Sequence, residues 1–143
     1  MGGFYMSYRF YDAIEHKMWL ELSLGSDGYF GNVSLVQEGK TLWEFRLDVV
    51  SAGELYDLVA DSVEASKDTI TERSVTDSFG ETLIVATYLN GVSKPVIAFS
   101  TADIADDICW LSIATAKQLR TTLRESLKKL REGLNQILEE PQC

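Results

Sequence analysis

One histidine, two prolines and two cysteines are all that the 143 residues hold of these three types. With His16 alone, a Ser–His or Cys–His catalytic pair has one place to come from, and a Cys/His zinc site has too few ligands. His16 lies in Ala13-Ile14-Glu15-His16-Lys17, between two strand patterns, where a turn histidine faces water. Cys109 sits within Ile108-Cys109-Trp110-Leu111 and reads as a small core hydrophobe, while Cys143 is the last residue. Two such cysteines make no disulfide framework. Pro95 and Pro141 mark no linker, so residues 1–143 are expected to form a single domain. No run approaches the ~20 apolar residues of a membrane span. Met1 to Tyr5 lacks the basic and apolar regions of a signal peptide, and Tyr5-Met6 does not fit the serine/threonine position of a myristoylation pattern. A cytoplasmic protein is the expectation. No nucleophile motif and no phosphate-cradling loop is present, since Gly25 and Gly28 belong to turn sequences. The chain is expected not to be an enzyme, with no cofactor and no metal. Asp103, Asp106 and Asp107, with Ser100 and Thr101, cluster oxygens in a short loop but lack the glycine and final glutamate of a calcium loop.

Basic residues are also few. Thirteen Lys and Arg stand against 22 Asp and Glu, a net charge of −9. That balance favours solubility and disfavours non-specific binding to nucleic acid or anionic membrane.

Apolar residues alternate through the first fifty positions. Met18, Leu20, Leu22 and Leu24 recur at period two, Val33 and Leu35 continue, and Trp43, Phe45, Leu47 and Val49 follow after Glu38-Gly39. With Phe4 to Tyr11, and with Ser26-Asp27-Gly28 as a turn, this predicts four antiparallel strands. Leu55, Leu58, Val59 and Val63 then repeat at helical spacing, predicting a helix from about Ala52 to Lys67 opened by a Ser51/Glu54 capping box.

The plan recurs. Ile70 to Phe79 predicts a polar edge strand, followed by strands at Leu83 to Leu89, Val96 to Phe99 and Ile108 to Ile113. Asn90-Gly91 predicts a type I′ turn, and Pro95 must open its strand or lie on an edge. A second capping box, Thr115 with Gln118, opens a long helix to about Leu138. Its stripe is Leu119, Leu123, Leu127, Leu130, Leu134 and Ile137, the pattern of a helix packed on a sheet and nearly that of a coiled-coil seam. The expected class is α+β, antiparallel sheets with two helices in the order ββββα-ββββα. The halves show no residue-level self-similarity. Their element order resembles that of Pur-type and Whirly-type single-stranded nucleic-acid binders, a resemblance that implies a nucleic-acid-binding face.

Charge is distributed unevenly. Glu54, Asp57, Asp61, Glu64 and Asp68 are spaced three or four apart and fall within about 80° of helical arc, opposite the apolar face. Such a one-signed stripe gives up the Glu–Lys pairs that surface helices use, with Lys67 alone at its edge. It is a solvated face or a docking face for a basic partner. The last helix inverts the sign: Lys117, Arg120, Arg124, Lys128, Lys129 and Arg131 give residues 117–131 a charge of +5, leaving −14 on the rest. Those side chains can shield the leucine stripe, pair with carboxylates in the domain or on a second subunit, or bind phosphate. A third patch, Tyr5, Arg9, Tyr11 and Trp19, falls on one face if the first two strands pair directly. It can stack nucleic-acid bases, pack beneath a helix or form a dimer contact.

These features point first to a non-enzymatic binding protein presenting an acidic surface to a basic protein partner, a toxin or nuclease, as an inhibitor or immunity protein does. The second reading is a single-stranded nucleic-acid-binding module. It requires the aromatic patch to lie exposed beside the basic residues Arg120, Arg124, Lys128 and Arg131. The third is a homodimeric or larger adaptor joined through the leucine-striped helix.

Overall fold

The computed structural model describes residues 4–15, 17–25, 31–65, 71–89, 95–103 and 106–139. Strands β1 (Phe4–Tyr11), β2 (Met18–Gly25), β3 (Gly31–Gln37) and β4 (Lys40–Leu47) form one antiparallel meander, and helix α1 (Val49–Ala65) follows. Strands β5 (Glu72–Thr76), β6 (Thr82–Leu89), β7 (Pro95–Thr101) and β8 (Cys109–Ser112) form a second, followed by helix α2 (Ile113–Glu139). The order is ββββα-ββββα, an α+β architecture, as the two periodicities require. Polar β5 is an edge strand, and Pro95 opens β7. Between β3 and β4, Glu38 and Gly39 both take positive φ, 52° and 82°, the geometry of a two-residue type I′ hairpin. The turn at Ser26-Asp27-Gly28 and the hairpin at Asn90-Gly91 lie outside the described residues, as does His16.

Both helix caps lie three residues earlier than predicted. Asp48, not Ser51, caps α1: Ser51 N donates to Asp48 Oδ1 at 2.9 Å and Asp48 N donates to Ser51 Oγ at 3.0 Å. Ser51 is therefore the third helical residue and Glu54 has no part in the cap. Val49, expected at the end of a strand, starts the helix. Ser112 likewise caps α2, its Oγ accepting from Thr115 N at 3.2 Å and donating to Thr115 Oγ1 at 3.0 Å, so Thr115 and Gln118 are not the box. In each case a capping side chain stood at the end of the preceding strand, and the β-branched residue after it hid the boundary.

The apolar faces of both sheets and both helices meet in one core. Leu20, Leu22, Leu35, Phe45, Leu55, Val59, Leu83, Phe99, Leu111, Leu119 and Leu123 are all buried within it. Each fully buried leucine contributes about 1.5–3 kcal/mol relative to exposure. The α2 stripe stays buried to Leu130, but Leu134 is 36% exposed, so the helix runs beyond the core. The helices also tie the halves together. α1 packs on α2 and on β5 and β6 of the second sheet, while α2 packs on β7 and β8 and reaches β1 of the first.

A polar joint occurs twice. Asp12, just after β1 and 5% exposed, accepts from Ile14 N (2.8 Å), Glu15 N (2.7 Å) and Trp110 N in β8 (2.6 Å). Asp77, just after β5 and 8% exposed, accepts from Phe79 N (2.9 Å), Glu81 N (2.9 Å) and Arg46 N in β4 (2.8 Å). Each carboxylate closes its own turn and takes the free amide of the fourth strand of the other half, a donor that an edge strand leaves unpaired. Arg46 stands two residues before the Asp48 cap, as Trp110 stands two before the Ser112 cap. The halves thus share residue-level pattern at their joints, contrary to the expectation from sequence.

Candidate protein-docking surface

The acidic residues of α1 emerge together. Glu54, Asp57, Asp61 and Glu64 are all exposed, opposite buried Ala52, Leu55, Val59 and Val63. Val50, 68% exposed, continues the same arc toward the start of the helix. Asp68 and Lys67 lie outside the described residues. Toward its end the stripe is answered within the chain: Asp61 Oδ2 lies 2.7 Å from Arg73 Nη1 in β5, and Glu64 Oε1 lies 3.3 Å from Arg120 Nη1 in α2. Both pairs are exposed and contribute little, about 0–1 kcal/mol each. Glu54 and Asp57 make no ion pair among the described residues.

α2 runs antiparallel to α1, with Arg120 beside Glu64 and Leu127 beside Gly53. Beyond the Glu64–Arg120 pair the two helices line a groove of about 700 Å³. Gly53, Tyr56 and Asp57 form its α1 wall, and Arg124, Leu127, Lys128 and Arg131 the main part of its α2 wall. Glycine at 53 widens the groove, since a Cβ there would meet only Leu127 Cδ2 at 4.0 Å. Arg124, Lys128 and Arg131 are exposed and make no ion pair among the described residues. Of the basic side chains on α2, then, Arg120 pairs within the domain, and Lys129 turns to the sheet, where its Nζ donates to Met6 Sδ at 3.0 Å.

The aromatic patch forms on the opposite side of the first sheet. β1 and β2 pair Arg9 with Glu21 and Tyr11 with Trp19, so these four share a face, away from the core-facing Tyr8 and Phe10. Arg9 lies 4.4 Å above the Trp19 ring and 3.4 Å from Glu21 Oε1, and Trp19 Nε1 donates to the same oxygen at 3.3 Å. Tyr11 tilts against Trp19 at 5.7 Å. The exposed face of the tryptophan is thus occupied by the chain's own arginine. The side chain of Tyr5 lies outside the described residues. Met6, which receives Lys129, belongs to the apolar face, so the patch and the basic helix lie on opposite faces of the sheet.

A second cavity, of about 290 Å³, opens beside the Asp77 joint. Arg46 stacks 4.8 Å above Phe79 there, and Asp77, Glu81 and Asp103 gather at its wall. Burial, then the charges of Asp103 and Asp77, raise the Glu81 carboxyl above its usual range, and Glu81 Oε1 is buried with no hydrogen-bond partner among the described residues. Asp103, Asp106 and Asp107 do not converge on an ion: among the described residues no group of three His, Cys, Asp or Glu side chains is placed to hold one. Trp43 Nε1 donates to the Asp107 carbonyl at 2.9 Å, which fixes that loop to β4. Burial and the Asp12 carboxylate push the Cys109 thiol far up, which keeps it protonated and unreactive. Among the described residues no helix is long and apolar enough to cross a membrane.

Sequence reasoning found the charged faces of both helices but missed the groove between them, which depends on how the helices pack. It also missed the Asp12 and Asp77 joints. Their one signal was an aspartate directly after the first strand of each half, followed two residues later by an exposed apolar side chain, Ile14 or Phe79. No protein-family model matches the chain, and no curated protein matches it.

Proposed function

We propose that this chain is a non-enzymatic protein-binding domain whose helix layer docks a basic protein partner, as an inhibitor or immunity protein does. The observation that carries this reading is the exposed acidic face of α1, on which Glu54 and Asp57 have no cationic partner in the described chain. Carboxylates presented from a rigid helix attract a basic surface over a Debye length, about 8–10 Å at ordinary salt, and disfavour acidic competitors. A cytoplasmic site of action fits the free thiol of Cys109. The nucleic-acid reading is weaker because its aromatic patch is closed by Arg9 and separated by the sheet from Arg124, Lys128 and Arg131.

The test is capture of basic proteins at low salt by the wild type and by the triple variant Asp57→Lys, Asp61→Lys, Glu64→Lys. Loss of capture with an unchanged circular dichroism spectrum is expected. Equal recovery by the two proteins removes the stripe from function.

A further inference from the structure

We infer that the basic partner of the α1 face is α2 of a second copy of this chain, in a two-fold dimer formed helix layer against helix layer. The inference rests on the reading of α1 as a docking face and names what docks there. The layer is self-complementary in charge. Asp57 stands on one side of the groove, Arg124, Lys128 and Arg131 on the other, and none makes an ion pair within its own chain among the described residues.

Symmetry selects the arrangement. Two copies of one face can meet about a two-fold axis lying in the interface, either across the helices or along the groove. An axis across them sets α1 on α1 and α2 on α2, which opposes like charges. An axis along the groove sets α1 on α2 at both ends of the interface. It also preserves height along the helices. Gly53 lies beside Leu127 and Glu64 beside Arg120, so Asp57 is level with Arg124 and Lys128 of its own chain. Rotation about the groove therefore brings Asp57 level with Arg124 and Lys128 of the second copy, with no slip in register.

Glu125 and Glu132 also line the groove, and against Arg124, Lys128 and Arg131 they leave its α2 side with a net positive charge. Val50, exposed by 68%, adds apolar surface from the acidic face of α1. Tyr56, Leu127 and Gly53 line the groove between the charged walls.

Charge reversal tests this directly. The single variants Asp57→Lys and Lys128→Asp each create two like-charge contacts in a homodimer. Mixed one to one, they create two opposite-charge contacts and none that repel. Sedimentation is measured over a range of concentrations at about 0.1 M salt, where the Debye length of about 10 Å screens the net charge of each copy but not contact pairs. The wild type is expected to dimerise, each single variant to associate at least about tenfold more weakly, and the mixture to recover wild-type association. At about 1 M salt the wild-type dimer weakens.

A wild type that stays monomeric to the highest concentration reached, or single variants whose mixture gains nothing, overturns the dimer. A ten-residue oligolysine peptide separates the two readings. A monomeric chain that binds the peptide, and loses it on Asp57→Lys, leaves the docking face standing with another partner. A monomeric chain that ignores it loses both.

Discussion

At the end of β1, Asp12 accepts three amides beside the buried thiol of Cys109. At the end of β5, Asp77 accepts three amides in the wall of an open cavity shared with Glu81 and Asp103. The two joints are built alike and sit in different surroundings. The difference teaches what such a joint contributes. An amide donor left without its acceptor costs most where water cannot replace the carboxylate, and a carboxylate contributes least where other carboxylates oppose it.

The largest effect is therefore expected at the closed joint. Asp12→Ala strands the amides of Ile14, Glu15 and Trp110 and is expected to cost about 2–4 kcal/mol in urea unfolding. Asp77→Ala removes the same number of acceptor contacts but admits water and relieves repulsion on Glu81, so a smaller loss of about 1–3 kcal/mol is expected. Equal losses would show that the surroundings do not matter.

Glu81 sharpens the contrast. Its carboxyl is raised by burial and by Asp103 and Asp77, so the folded chain keeps a proton there that the unfolded chain has released. The stabilising contribution is complete below the ordinary value of 4.5 and is lost as pH rises through the folded value. Glu81→Gln is expected to be more stable than the wild type at pH 7 and to remove this loss, measured as Tm against pH. A variant that is no more stable at pH 7 than at pH 4, relative to wild type, would refute the opposed-carboxylate account. The smallest effect concerns the helices that follow the joints. Gly53 stands five residues after the Asp48 cap, where α2 carries Lys117 five after Ser112. Since a Cβ at 53 meets no close atom, Gly53→Ala is expected to gain about 0.4–1 kcal/mol, seen as a higher Tm.

Much of this architecture was legible beforehand because it is local. Leu20, Leu22 and Leu24 alternate because a strand turns alternate residues to its two faces, and Leu119, Leu123, Leu127 and Leu130 line one side of any helix. The helix starts were misplaced by three residues because Asp48-Val49-Val50 satisfies a strand pattern and a cap at once. The hydrogen bond from Ser51 N decided for the cap. The charged faces of α1 and α2 were legible for the same reason as the leucines, being set by 100° steps along one helix. Their relation was not.

The sequence by itself determined the class of fold, the order of its elements and the sign of each helix face, all of which follow from spacing within a single segment. Only the tertiary structure decided which charges meet. Antiparallel packing of α1 on α2 gave Glu64 to Arg120 and left Asp57, Arg124, Lys128 and Arg131 around an open groove. Lys129 against Met6 put the basic helix and the Arg9–Trp19 patch on opposite faces of one sheet. Asp12 met Trp110 across 98 residues of chain. Such distances in sequence are spanned only by the collapse of one shared core, and residue spacing carries no trace of them.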